Sequence, residues 1–322
     1  MMLDLKRGGS LGVIATLSVV FGFASVFLSE LFAVFSIAYL AATMVFDKTP
    51  KKIWSLVASI LIVVANVLCL IFFNSVTLTG FMTVAVGAVI ALCFRFHRTK
   101  NECVLASVTV VALFTVGSFL LLLLQMADEF GLSSAMEAYN QTYEALKNEF
   151  VGAVGDITSG AVGGTTEVTL SAEDVALMFD GVANLGVAMV ILLSLAIVGV
   201  AFKVFTRVVD NSAKDGSSVR EWRFCPSGVF GYFYIALYLI TMFAGEMTVF
   251  SLTVMNLYYV FMAVFAYFGF GVAVAFLSHA RSRTFAYLSV VGALVLFSTI
   301  AFQILSLVGV FFAINYKKAR QD

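Results

Sequence analysis

Residues 11–46 read LGVIATLSVVFGFASVFLSELFAVFSIAYLAATMVF, and Glu30 is the only charge among them. A helix crosses the hydrocarbon core of a bilayer with about 20 apolar residues. The run is too long for one crossing. It is also far longer than the apolar region of a cleavable signal peptide, about 7–15 residues. Bases flank it on both sides, with Lys6 and Arg7 before it and Lys48, Lys51 and Lys52 after it. Cytoplasmic loops collect Lys and Arg, so both ends of the run belong on that side. The run is therefore read as two short helices, about 11–28 and 31–46, turning near Ser29-Glu30.

The same pattern repeats along the chain. Hydrophobic residues make up 61% of the 322 and charged residues 12%, against about 45–50% and about 25% in soluble domains. With a mean hydropathy of +1.04, a soluble globular protein and a disordered chain are both excluded. The apolar runs are continuous rather than alternating, which argues against an outer-membrane barrel. The fold class is all-α, a polytopic transmembrane helix bundle of about 8–10 helices with an external helical insertion. Further spans are expected at 53–73, 81–94, 103–126, 184–207, 229–245 and 249–278. The last apolar stretch, 284–316, is basic at both flanks, which favours a hairpin turning near Gln303 over a single span. Counted that way there are ten helices with both termini inside.

Charge divides the chain into three parts: membrane helices over 1–126, an insertion over 127–183, and membrane helices over 184–322. Residues 127–182 hold ten acids and one base, Lys147, for a net −9. The nine acids and eighteen bases elsewhere give +9, so the formal net charge of zero conceals a polarised molecule. The insertion is expected outside the cytoplasm. Ser134 and Glu137 have capping-box spacing. Met136, Tyr139, Tyr143, Leu146 and Phe150 then recur every three or four residues, forming an apolar stripe on a helix of about 16–20 residues. Gly152, Gly155, Gly160, Gly163 and Gly164 read as a flexible linker. Ser171 and Asp174 mark a second helix start. The polar face of 134–151 is acidic, unlike the basic face of helices that lie on membranes. Capping of the bundle or docking to a membrane-protein partner is the better use for its stripe.

An ordered set of features in the second half carries a resemblance. Leu170-Ser171-Ala172-Glu173-Asp174 leads into a span that ends in bases. Glu221-Trp222-Arg223-Phe224-Cys225-Pro226 follows, then Asn256 early in a helix, Phe268-Gly269-Phe270-Gly271, and Leu307-Val308-Gly309 before a basic tail. In this order the chain resembles the YybS-like family of predicted bacterial membrane proteins, a domain of unknown function. Gly80 to Lys100 is similar to the glycine-bearing helix and basic turn of that family. The resemblance implies a bacterial cytoplasmic membrane and a core like the substrate-binding component of energy-coupling-factor vitamin transporters. It implies no established activity.

Few residues offer chemistry. No phosphate-binding G-x-x-x-x-G-K-[ST] and no H-E-x-x-H occurs, and no aspartate sits near the middle of an apolar run, which argues against an enzyme. Cys69, Cys93, Cys103 and Cys225 form no C-x-x-C pair, and His97 and His279 sit in basic turns, so neither a metal nor a cofactor is expected. Nothing points to nucleic acid; the expected surroundings are the lipid bilayer. Glu30 and Glu246 are the acids inside apolar stretches, where ionisable groups are costly and often functional. Both also fall where the chain must turn. Asn66, Asn256 and Gln303 lie in spans, where an amide either ties helices together or lines a pocket. These five are the candidate ligand or helix-contact residues. Two functions remain open: a transport-related solute-binding membrane protein, and a non-transporting scaffold or regulator of cell-envelope processes.

Overall fold

The computed structural model describes residues 11–47, 52–73, 77–96, 98–131, 133–160, 171–212, 226–243, 248–280 and 282–315. Among them are eleven α-helices, one 3-10 turn and no strand, so the chain is an all-α helical membrane bundle. The helices are α1 (Leu11–Phe27), α2 (Ala33–Phe46), α3 (Ile53–Phe73), α4 (Thr79–Arg95), α5 (Lys100–Glu129), α6 (Ala135–Gly160), α7 (Ala172–Ala183), α8 (Gly186–Ser212), α9 (Gly228–Phe243), α10 (Val249–Ala280) and α11 (Arg283–Asn315). The 3-10 turn, Glu30–Phe32, lies between α1 and α2. Among the described residues four helices, α3, α5, α8 and α10, are long and apolar enough to cross a membrane.

The opening stretch folds as its charges require. Ser29 breaks α1 by capping the 3-10 turn, accepting from the Leu31 amide at 3.4 Å. The two helices then close on small residues. Gly22 lets Ile62 and Ser36 approach so nearly that a Cβ there would stand 2.6 Å from Ile62 Cγ1. Ser36 Oγ donates to the Ser18 carbonyl at 2.8 Å. Helix α2 is the centre of the first group of helices, with eleven of its fourteen residues buried. Ala38 and Ala42 are fully enclosed, so their small-residue spacing is a packing face. Helices α1, α3, α4 and α8 pack around it.

Helix α3 shows why the bundle belongs in lipid. Its inward face is Ser55, Ala58, Ile62, Ala65, Asn66 and Cys69, at helical spacing and mostly small or polar. Its outward face carries Trp54, Leu56, Ile60, Ile71, Phe72 and Phe73, the last three about 70% exposed. A water-soluble helix would reverse that arrangement; a lipid-facing one packs through small residues and shows its large ones to hydrocarbon.

Helices α9, α10 and α11 form the second group, joined to the first where α10 meets α8. Tyr234, Tyr258 and Phe265 form its core. Tyr234 and Tyr258 stack at 5.5 Å, Phe265 is fully enclosed, and Tyr234 Oη lies 2.9 Å from Ser306 Oγ. Glycines make the closest approach: a Cβ on Gly269 would overlap the Leu305 carbonyl, and one on Gly309 the Phe265 carbonyl.

Two expectations are corrected. Helix α6 runs on to Gly160, so the glycine-rich linker does not begin at Gly152; 161–170 lie outside the described residues. Val154 and Ile157 continue the Tyr143–Phe150 spacing, and a glycine costs a helix only about 1 kcal/mol. Gln303 is helical and exposed, not a turn. The helix is nevertheless bent. Tyr287 meets Phe270 across the short turn after α10, whereas Leu305 touches the neighbouring Gly269. A straight helix would separate Tyr287 from Leu305 by about 27 Å, too far for both contacts. The end of α11 runs antiparallel to α9, with Ser306 at Tyr234 and Ile314 at Gly228 and Gly231. The bend therefore precedes the end of α11, where Val310 and Ala313 join the aromatic core.

Candidate functional site

Two of the singled-out residues meet at one end of the bundle. Asn66 is fully buried on α3. Its Nδ2 donates to the Thr77 carbonyl at 2.7 Å, and its Oδ1 accepts from the Gly80 amide at 2.5 Å. The first amides of a helix have no partner within it, and Asn66 supplies one for α4. Gly80 must be glycine for this to happen, since a Cβ would sit 2.8 Å from Asn66 Oδ1. Thr77 Oγ1 lies 2.6 Å from Thr79 Oγ1, which donates to Glu30 Oε1 at 3.2 Å. Glu30 begins the 3-10 turn and is exposed. It is a turn residue tied by hydrogen bonding to the start of α4.

Asn256 does the same work elsewhere. From α10 its Oδ1 accepts from the Ala188 amide at 2.8 Å, near the start of α8. Its Nδ2 donates to the carbonyls of Asn184 and Leu252, each at 2.9 Å. One amide thus closes the end of α7, the start of α8 and the side of α10. Gln303 stays apart from these clusters, and its carbonyl accepts from Ser306 Oγ at 2.7 Å. Glu246 lies outside the described residues, as do Cys225 and His97. Among the described residues no group of three or more His, Cys, Asp or Glu is placed to hold a metal ion.

Two clefts lie between the described helices, and neither is lined by Asn66 or Asn256. The smaller, about 390 Å³, lies between α2, α3 and α4, with Lys52, Ser55, Ser59 and Arg95 on its walls. The Arg95 guanidinium donates to the Met44 carbonyl. Asp47, buried beside it, caps α3 by accepting from the Ser55 amide at 2.9 Å and the Ser55 hydroxyl at 3.1 Å.

The larger, about 440 Å³, opens between α5, α8 and α10, where the two helix groups join. Leu192, Leu195, Gly199 and Val200 form one wall, with Val264 and Tyr267 opposite. Among the described residues its charged lining is Lys100, which starts α5, and Lys203, toward the end of α8. The volume falls in the usual range for a site that takes one small molecule, about 300–1,000 Å³. In the sequence these lysines read only as markers of the basic side of the bundle. The cleft behind them depends on how three helices diverge, which no spacing encodes.

The insertion has a polar clamp. Lys147 Nζ and Tyr143 Oη, both on α6, converge on the Asp180 carboxylate of α7, at 2.8 and 2.6 Å. The apolar stripe is partly used there. Tyr139 meets Phe119 of α5, and Tyr143 and Phe150 meet Phe179 of α7. Met136 and Leu146 remain more than half exposed. Both helix starts are capped. Ser171 and Asp174 form the full reciprocal box. At α6 the Ser134 hydroxyl accepts from the Glu137 amide, but the Glu137 carboxylate accepts from the amide and hydroxyl of Ser133 rather than from the Ser134 amide. Those bonds hold the Glu137 carboxyl below its ordinary pKa.

No curated protein and no solved structure matches the chain. The description of the DUF2232 family of predicted membrane proteins matches residues 11–311, nearly the whole of a chain built from apolar helices, and the protein belongs to that family.

Proposed function

We propose that this is a non-catalytic, transport-related membrane protein that binds a small solute between its helices, in the cleft bounded by α5, α8 and α10. The observation that carries this reading is a ligand-sized recess of about 440 Å³ at the junction of the two helix groups. The Asn66 and Asn256 amides serve as helix ties, so they do not compete with the cleft for the role of binding site. The YybS-like resemblance belongs to the same proposal. So does a bacterial cytoplasmic membrane in which the ends bearing Lys52, Arg95, Lys100 and Lys203 face the cytoplasm and 127–183 faces outward. Native mass spectrometry of the full chain tests it, reading retained small molecules and partner chains together. A retained solute with an energising ATPase is the expected result. A chain free of solute in every preparation overturns it.

The α6–α7 clamp favours a second reading, a scaffold or regulator that acts through its external helices. A clamped hairpin with exposed Met136 and Leu146 and an acidic polar face is suited to holding a protein partner. Co-purification with envelope-synthesis enzymes, lost on removal of 134–183, is the result expected of a scaffold.

A further inference from the structure

We infer that the cleft between α2, α3 and α4 is a headgroup site for an anionic glycerophospholipid, with the phosphate at Arg95 and Lys52 and the acyl chains on the outer face of α3. This cleft is separate from the one between α5, α8 and α10, and neither site depends on the other.

Among the described residues the charged lining of the cleft is Lys52 and Arg95, both basic. Arg95 lies in the last turn of α4. One of its N–H groups donates to the Met44 carbonyl, which steadies the side chain. A guanidinium has five such donors, so others can meet a phosphate as a planar fork. Lys52 is exposed just before α3 and adopts φ +46°. That left-handed backbone is uncommon outside glycine and asparagine, and Ser55 Oγ holds it by donating to the Lys52 carbonyl at 2.9 Å. Asp47, the buried acid after α2, accepts from the Ser55 amide and hydroxyl and does not line the cleft.

The hydroxyls in the lining narrow the headgroup. Ser59 Oγ donates to the Ser55 carbonyl at 2.8 Å. Both serine hydrogens are thus used within the protein, and the oxygens keep capacity as acceptors. A matching headgroup brings negative charge to the bases and a hydroxyl to the serines, as phosphatidylglycerol does. A choline headgroup would bring a cation to a basic cleft and no hydroxyl. About 390 Å³ holds a phosphate and a glycerol, leaving the chains outside.

The outside of this cleft is the lipid-facing surface. Leu56 of α3 and Leu92 of α4 both line the cleft and are 56% and 49% exposed. Leu56 continues into exposed Ile60 and Val64 at helical spacing, on the face of α3 that shows its large side chains to hydrocarbon. Trp54, exposed on the first turn of α3, suits the bilayer interface, where indole rings collect. The two bases are therefore at headgroup depth, where basic pockets between membrane helices take anionic headgroups.

Trp54 also reports on the cleft, because the chain has one other tryptophan, Trp222. With Trp222→Phe as parent, the full chain is placed in phosphatidylcholine nanodiscs. These are doped with phosphatidylglycerol or phosphatidylcholine carrying brominated chains, and quenching of Trp54 is read. Half-maximal quenching is expected at a mole fraction of brominated phosphatidylglycerol at least about threefold below that of brominated phosphatidylcholine. The two curves should merge in Lys52→Asn, since asparagine accepts a left-handed backbone better than lysine. They should also merge in Ser59→Leu, which fills the cleft from a partly exposed position. Arg207→Gln removes a base exposed near the end of α8 and should leave the preference intact. Coincident curves in the parent overturn the proposal, as does a preference that survives both cleft variants. A preference lost equally in Arg207→Gln reflects the charge of the whole basic end and overturns the site. Quenching reversed by soluble glycerol phosphate assigns the cleft to a soluble phosphate ester and overturns the lipid assignment.

Discussion

Lys147 Nζ lies 2.8 Å from Asp180 Oδ1, and Tyr143 Oη donates to the same oxygen at 2.6 Å. The single base of the acidic insertion is thus committed to one of its ten acids. The ion pair is partly exposed, and an isolated surface pair contributes little. Its effect is geometric: it fixes the register of α6 on α7 at the place where the aromatic side chains of the stripe also meet.

The clamp sets a pH window. Hydrogen bonds from Lys147 and Tyr143 hold the Asp180 carboxyl below its ordinary range, about 3.9 in an unfolded chain. Its contribution is present above that value and disappears as pH falls through the lower, folded one. The bond to Asp180 pushes the Tyr143 phenol up to about 12, from about 10 unfolded. Its contribution is present below about 10 and disappears as pH rises through about 12. Amide exchange of α6 and α7 should be flat between about pH 4 and 10, after correction for the intrinsic rate. Both helices should lose protection below that window, and the Tyr143 phenolate should form late in a titration.

Asp180→Asn and Lys147→Met should each raise exchange in α7 while leaving α2 and α8 unchanged. If either variant loosened the whole bundle, the insertion would be carrying stability rather than adding to it.

Asn66→Leu should destabilise the bundle. It removes an acceptor from the buried Gly80 amide and a donor from the Thr77 carbonyl, and a stranded buried polar group costs about 1–3 kcal/mol. Thermal melting in detergent should fall accordingly. An unchanged melting temperature in Asn66→Leu would contradict the assignment.

Asn256→Ala should release α10 from the α7–α8 junction. Interhelical hydrogen bonds in membranes are worth about 0.6–2 kcal/mol, so the fold should survive. Exchange should rise at Ala188 and neighbouring amides of α8, and stay unchanged near Asn66.

Gly309→Ala should be strongly damaging, because its Cβ would overlap the Phe265 carbonyl backbone. Overpacking costs about 1–3 kcal/mol when the site can shift. Gly271→Ala, on α10 with nothing within 4 Å of its Cβ, should be neutral or slightly stabilising. Equal melting temperatures for the two variants would refute the glycine-mediated crossing.

Much of the fold is legible from residue order. The 11–46 hairpin, the span at 53–73 and the capped start at Ser171 follow from apolar run length, flanking charge and local capping. These depend on neighbours in sequence or on the membrane, which acts equally on every residue at a given depth. The roles of Asn66 and Asn256 do not follow from order, because an amide in a span reads the same whether it ties helices or lines a pocket. The partner groups, Gly80 and Thr77 in one case and Ala188 and Asn184 in the other, decide between the two. The bend of α11 and the lysine-ended cleft between α5, α8 and α10 are also tertiary outcomes. The first is expressed in contacts between α11 and both α9 and α10, and the second is space left where three helices diverge. Sequence alone determined which segments are apolar helices and how charge divides among them, since hydrophobicity and charge belong to each residue. Only the folded bundle decided which polar groups are already satisfied and where room remains for a ligand, since both depend on distances between helices.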